Sequence, residues 1–251
     1  MANRLKQLWD SGKPAVNGWL AIPSGFSAEV MAQAGWDSVT VDLQHGVQDY
    51  MSMVACFQAM QSHPVLPMVR VPWNEPGIVG KVLDAGAYGI ICPMISTASD
   101  AARLVAACRY PPVGARSFGP ARGLLYGGLD YFTAANTEIL VFAMIETQGA
   151  LDNLDAILDT PGLDGIYFGP NDLAIELGCA PRNEHDDPTV VAAIARGREG
   201  AARRGLIAGM FCSDGPAAAR RVAEGFHLVT PGNDAALLRA TFAASVKTAR
   251  G

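Results

Sequence analysis

Residues 165 to 178 read GIYFGPNDLAIELG. Gly165 to Phe168 form a short β-prone apolar run. Gly169-Pro170 breaks it, and Asn171-Asp172 suit the cap of a helix through Leu173, Ala174, Ile175 and Leu177. A strand-turn-helix unit of this kind presents free backbone N–H groups, which attract anions, beside a carboxylate able to ligate a hard cation. The same stretch taken alone also reads as an ordinary turn with Asp172 as a satisfied cap, so the surrounding chain has to separate the two readings.

Working outward, short β-like runs recur at Asn17 to Ile22, Ser38 to Leu43, Leu66 to Val71, Gly89 to Met94, Ile139 to Ile145, Gly165 to Phe168, Ile207 to Cys212 and His227 to Pro231. Helix-length stretches with apolar spacing near 3.6 lie between most of them: Ala28 to Ala34, Gly77 to Ala85, Ala98 to Cys108, Leu151 to Leu158 and Pro188 to Arg204. Several strands are continuously apolar, as expected when both faces of a parallel sheet are covered. The pattern predicts an α/β fold, an eight-stranded (β/α)8 TIM barrel, with a doubly wound open sheet as the alternative. A length of 251 residues suits one barrel domain spanning 1–251, and neither an internal repeat nor a linker divides it. Tyr110 to Ala135 is the exception to the alternation, a loop of a length usually reserved for function or for ordering by a partner, and Arg116 and Arg122 in it are expected to face a ligand or a subunit contact. A C-terminal amphipathic helix, about 234–249, carries Leu237, Leu238, Phe242 and Val246 on one face.

The chain is 50% hydrophobic and 17% charged, more apolar than a monomer's surface requires, which points to burial between subunits of a homo-oligomer. The net charge of -5, with no basic run, argues against nucleic acid and anionic membranes and for small-molecule partners. Five widely spaced cysteines without a CxxC pair read as reduced thiols, and no apolar run is long enough for a signal peptide or a membrane span, so a cytoplasmic location is expected.

Barrels keep their chemistry at the C-terminal ends of the strands. There the chain places Asp42 and His45, Arg70, Glu146, and the Gly169-Pro170-Asn171-Asp172 turn. Glu146 follows the apolar run Val141 to Ile145, where a carboxylate is costly unless paired or metal-bound. With Asp172 it makes an oxygen donor pair suited to Mg2+ or Mn2+, with Co2+ or Zn2+ as alternatives, because zinc more often recruits His or Cys. His45 has Asp42 three residues before it as a possible orienting partner and is the expected acid/base group, whereas His63, His185 and His227 read as structural or exposed. Arg70 suits a developing oxyanion or an ion pair with a carboxylate. None of the four lysines falls at a strand end, which disfavours a Schiff base, and no dinucleotide or P-loop motif is present.

VDLQHG (41–46), PMVRVPWNEP (67–76), YPPVGARSFGPARG (110–123), MIET (144–147) and FGPNDLAIELG (168–178) occur in this order. Together they resemble the HpcH/HpaI family of class II pyruvate aldolases, which includes 4-hydroxy-2-oxoheptanedioate and 2-keto-3-deoxy-sugar-acid aldolases. The resemblance implies a barrel of the phosphoenolpyruvate/pyruvate type assembled as a hexamer, with the terminal helix exchanged between subunits. It also implies metal binding by Glu146 and Asp172, contact of Arg70 with the keto oxygen, acid/base work by His45 with Asp84 as its partner, and substrate carboxylate binding around Gly169, Asn171 and Asp172. Gln44 and Met144 depart from the family's usual Glu and Gln. The expected reaction is metal-dependent, reversible aldol cleavage of 4-hydroxy-2-oxo acids, with pyruvate or hydroxypyruvate as donor and an aldehyde as acceptor. An oxaloacetate-type decarboxylase, a CoA-thioester lyase and a non-catalytic ligand-binding barrel are the alternatives.

Overall fold

A computed structural model describes residues 2–251. Within them run the strands β1 (Ala15–Leu20), β2 (Ser38–Asp42), β3 (Leu66–Arg70), β4 (Gly89–Cys92), β5 (Leu140–Ile145), β6 (Gly165–Phe168), β7 (Ile207–Cys212) and β8 (Leu228–Pro231). They pair in parallel and in sequence order, and β8 returns to β1 to close the barrel. The open-sheet alternative is thereby excluded.

Helices cover the outside. They are α1 (Arg4–Asp10), α2 (Gly25–Ala32), α3 (Tyr50–Met60), α4 (Pro76–Asp84), α5 (Ala98–Cys108), α6 (Gly123–Gly127), α7 (Tyr131–Glu138), α8 (Gln148–Asp152), α9 (Leu154–Leu158), α10 (Pro170–Glu176), α11 (Pro188–Arg203), α12 (Gly215–Ala223) and α13 (Asp234–Arg250). With helices outside and packed side chains inside, all six residues of β5 are buried, which is why that strand can be continuously apolar. Inside the barrel a polar layer is satisfied internally. Asn17 accepts from Ser38 Oγ at 2.8 Å and donates to Thr230 Oγ1 at 2.9 Å, and the Tyr167 hydroxyl donates to the same Thr230 oxygen at 2.7 Å.

The register positions the strand ends. Asp42 is the partner of Arg70 across β2 and β3, and Ile145 is the partner of Phe168 across β5 and β6, so Glu146 and Gly169 emerge side by side.

Three local expectations change. Gly169, not Asn171 or Asp172, is the N-cap of α10; Pro170 fills the first helical turn, where its missing N–H costs nothing, and Asp172 lies within that turn. The expected helix at Leu151 to Leu158 is two short helices meeting at Asn153, whose side chain donates to the carbonyls of Ser96 and Gly149. The Tyr110 to Ala135 loop contains α6 and the start of α7, and its rings of Tyr110, Phe118 and Phe132 lie within 5.2 to 5.7 Å of one another.

Candidate active site

Asp42 ends β2 fully ringed by donors. Arg70 Nε and Nη2 reach its two oxygens at 2.8 and 2.6 Å, and Trp19 Nε1 donates at 3.2 Å. The backbone N–H groups of Gln44 and His45 donate to Oδ1 at 3.1 and 3.2 Å. Burial alone would raise the Asp42 pKa; the hydrogen bonds and charge of Arg70, with help from Trp19 and the His45 N–H, hold it below the ordinary carboxylate value. The expectation that Asp42 orients the His45 imidazole is therefore corrected: it binds the His45 backbone, fixing the turn that carries the ring. Gly46 follows because a Cβ there would meet the Asp42 carbonyl oxygen at 2.4 Å.

Arg70 is held on two sides. The bidentate Asp42 pair fixes its plane, and the guanidinium carbon lies 4.9 Å from the centroid of the Trp19 ring. Trp19 in turn stacks on Tyr167 at 5.8 Å and meets Phe211 edge-on at 5.5 Å. The Nη1 group of Arg70 keeps no partner among the described residues.

Glu146 is 2% exposed. One oxygen accepts from the Met94 N–H at 2.8 Å; the other faces Gly169, where a Cβ would come within 2.4 Å of it. Met94 takes a positive φ of 57° to direct that N–H, an uncommon conformation for a side chain other than Gly or Asn. Burial pushes the Glu146 carboxyl up to about 7; the Met94 N–H opposes this, the Asp172 charge adds to it and Arg70 lowers it. A buried carboxyl beside a second carboxylate, with one oxygen free of hydrogen bonds, fits a divalent cation. Among the described residues no third His, Cys, Asp or Glu joins the pair, which leaves the remaining coordination positions to water and substrate oxygens.

These groups surround a cavity of about 250 Å³ lined by Asp42, His45, Arg70, Gly169, Pro170, Asn171 and Asp172, together with Trp19, Met144, Tyr167, Asn183 and Phe211. The His45 ring has no hydrogen-bond partner among the described residues. Since α10 carries no side-chain cap, the N–H groups of Asn171 and Asp172 at its first turn are open to an anion. Asn171 is oriented by Asn183, which accepts from its amide at 2.8 Å.

Asp84 lies elsewhere. At the end of α4 it accepts from Arg116 at 2.8 Å, on a surface cavity lined also by Lys81, Ser117 and Arg122. Within one chain it is not brought to His45, because helix ends and strand ends fall on opposite faces of the barrel. Arg116 and Arg122 likewise stay away from the mouth: the first is stacked on Tyr110 and the second on Tyr126, donating to Ala85 O.

Trp19, Met94, Tyr167, Asn183 and Phe211 were not anticipated. For Trp19, Tyr167 and Phe211 the signal was available, a large aromatic one residue before a strand end. For Met94 none was, since a positive φ on that residue has no sequence mark.

Residues 18–241 match the model of the HpcH/HpaI aldolase/citrate lyase family. The chain is 41% identical over 248 residues to a hydroxypyruvate/pyruvate aldolase of Rhizorhabdus wittichii, covering 99% of each. It is 35% identical over 241 residues to a 4-hydroxy-2-oxo-heptane-1,7-dioate aldolase of Salmonella paratyphi C, covering 95% of this chain and 91% of that protein. An HpcH/HpaI aldolase/citrate lyase family protein from Burkholderia cenocepacia superposes with a TM-score of 0.92 at 31% identity over 98% of both chains.

Proposed function

We propose, because this chain belongs to the HpcH/HpaI aldolase/citrate lyase family, that it is a carbon-carbon lyase performing reversible aldol cleavage and addition of 4-hydroxy-2-oxo acids. Pyruvate or hydroxypyruvate is the donor and an aldehyde the acceptor. The observation that carries this reading is the arrangement at one mouth of the barrel of a clamped arginine with a free Nη1, a buried Glu146 beside the exposed Asp172 carboxylate, and an unpartnered imidazole.

A divalent cation, Mg2+ or Mn2+ on this oxygen-only donor set, would be held by Glu146 and Asp172 and would polarise the 2-oxo carbonyl. The chain's own groups supply the rest. The N–H groups at the start of α10 receive the substrate carboxylate, fixing which face of the molecule meets Arg70. Arg70 Nη1 is aimed by Asp42 and Trp19 at the keto oxygen, where negative charge develops as the C3–C4 bond breaks or the C3 proton leaves. His45 accepts the proton from the C4 hydroxyl during cleavage; in the other direction it takes the C3 proton of pyruvate as the enolate forms and gives a proton to the aldehyde oxygen as the C3–C4 bond closes. Gly169 leaves room for the Glu146 carboxylate beside the substrate. Asp84 is proposed to reach His45 of a neighbouring subunit in an assembly, since its own chain holds it at the other face.

The test is an aldehyde panel with pyruvate and with hydroxypyruvate, products identified, with and without added metal. Aldol adducts that appear only with a divalent cation support the reading. Oxaloacetate belongs in the same panel because its decarboxylation passes through the same enolate. Decarboxylation without any adduct would replace the aldolase reading.

A further inference from the structure

The mouth carries three carboxamides. Two of them, Asn171 and Asn183, are bonded to each other at 2.8 Å beside the α10 turn that receives the substrate carboxylate. The third, Asn233, stands two strands away, just past the end of β8, and takes no part in the chemistry described so far. Its side chain is half-buried and engaged on one side: Oδ1 accepts from the Ala236 N–H at 2.8 Å as the N-cap of α13. That bond determines which way round the amide lies. The Nδ2 group is left without a hydrogen-bond partner and is open to solvent in the mouth.

The turn that presents this donor is tied to both neighbouring strands. Gly232 takes a positive φ of 81° and donates to the carbonyls of Cys212 and Thr230, both at 3.0 Å. Asp234 binds the N–H groups of Ala21 and Ile22, just past β1, at 2.8 and 3.1 Å. The Ala21 carbonyl accepts from the Val47 N–H at 2.9 Å, and a Cβ on Gly46 would come within 3.2 Å of Ala21 Cα. Ala21, which also lines the mouth, thus joins the turn that carries His45 to the turn that carries Asn233. The wall next to them at the end of β7 is the ring of Phe211, which offers no hydrogen-bonding group.

We propose that Asn233 is a specificity-determining residue for the acceptor, and that the acceptor it selects is a neutral 2-hydroxyaldehyde; this rests on the aldolase reading of the mouth. The C4 oxygen of the substrate lies at His45, so C5, which was C2 of the aldehyde, lies along Ala21. A hydroxyl on that carbon accepts from Asn233 Nδ2. An apolar substituent leaves the donor without a partner, and a site that offers a hydrogen bond disfavours the analogue that cannot take it. A carboxylate in the same place would face the carboxylate of Asp234, the next residue, which also occupies the positive end of α13.

The experiment measures acceptor kcat/KM at saturating pyruvate for glycolaldehyde, propanal and glyoxylate, in metal-loaded wild type and Asn233→Ser. Serine keeps the N-cap, since its hydroxyl can accept the Ala236 N–H, and removes the amide donor. Each aldehyde is compared with itself across the two proteins, so differences in intrinsic reactivity cancel. Asn233→Ser is expected to lower kcat/KM about tenfold for glycolaldehyde and to change it less than about twofold for propanal and glyoxylate. Pyruvate proton exchange without an acceptor and the urea unfolding midpoint should match wild type, which a general defect of the turn would not allow. Equal losses with glycolaldehyde and propanal, a loss with glyoxylate as large as that with glycolaldehyde, or slowed exchange would each overturn the proposal. Intact exchange with all three aldehydes at wild-type kcat/KM would overturn the role of Asn233 alone. A wild type with neither exchange nor adducts would overturn the aldolase reading and this proposal with it.

Discussion

Glu146 carries its charge against its surroundings. Its folded-state pKa of about 7 exceeds the ordinary 4.5, so between these pH values the metal-free native chain keeps a proton that the unfolded chain has released. Stability therefore falls as pH rises through that window, by about 3 kcal/mol in total, and stays low above it. Urea unfolding of chelated protein at pH 5 and pH 8 should show this loss, with Mn2+ restoring stability at pH 8 and Glu146→Gln abolishing both the loss and the rescue. Equal stability of chelated wild type at the two pH values would remove Glu146 as the source. The same proton makes cation binding pH-linked, with affinity falling about tenfold per unit below about pH 7. His45 and Arg70 separate in exchange of the pyruvate methyl protons in heavy water. His45→Ala should slow exchange by about 10²- to 10⁴-fold, with partial rescue by imidazole. Arg70→Ala should lose about 3 kcal/mol of enolate stabilisation without rescue, because no added base replaces a cation. Undiminished exchange in His45→Ala would confine that residue to the later protonation of the aldehyde oxygen. Borohydride with pyruvate should trap nothing, since no lysine lines the mouth: Lys6 pairs with Asp164, and Lys81 sits over Tyr50. A covalent mass shift on any lysine would contradict this.

Among the elements, the segment between α5 and β5 has a conformation that rests on the buried charge of Arg116. The side chain of Arg116 is wholly buried, bonded to Asp84 and to the Tyr131 hydroxyl at 3.0 Å, and stacked on Tyr110. Removing one partner of a buried pair is costly because the other is left uncompensated. Asp84→Ala should therefore destabilise the fold by about 3 kcal/mol and loosen proteolytic protection around Arg116; an unchanged unfolding midpoint would show that Tyr110 and Tyr131 alone hold the guanidinium. That this segment reads as a loop in sequence has the same origin, since its order comes from distant Asp84 and not from local periodicity. The strands were legible for the opposite reason: apolar runs such as 165–168 and 207–212 have both faces covered and need no partner to be recognised. Besides α6 and α7 of that segment, two further helices were hidden. In α3, Met51, Met53, Val54, Cys56, Phe57 and Met60 leave no clear polar stripe, although its Asp49 and Ser52 capping box was readable; in α12, alanines replace the large apolar residues that mark a buried face. At the site, residue types and strand ends were enough to place Arg70 and Glu146, as candidates, at the C-terminal ends of their strands. The Asp42 clamp needed the register between β2 and β3, and Trp19 needed the barrel closed.

For the whole molecule, α13 poses the largest imbalance. Seventeen residues long, it buries only Asp234, whose carboxylate accepts from the N–H groups of Ala21 and Ile22 at 2.8 and 3.1 Å and so ties the helix start to the end of β1. Beyond that anchor Leu237, Leu238, Phe242 and Val246 are exposed along one side, Phe242 by 62%. An apolar helix face of this length left in water costs about 25 cal/mol for each Å² that a partner could cover, and patches of this kind mark subunit contacts. We propose a second copy as the partner, the anchored Asp234 end leaving the rest of the helix to cross to a neighbour while the barrel stays closed. Light scattering should report an assembly larger than a dimer, with the family resemblance favouring a hexamer. Leu238→Asp/Phe242→Asp, which touches no residue of the mouth, should shift the mass towards smaller species. If Asp84 of one subunit serves His45 of another, pyruvate exchange should fall with that dissociation and recover at high protein concentration. A fully active wild-type monomer at assay concentration would refute both the assembly and the shared site, and a dissociated variant with undiminished exchange would refute the sharing alone.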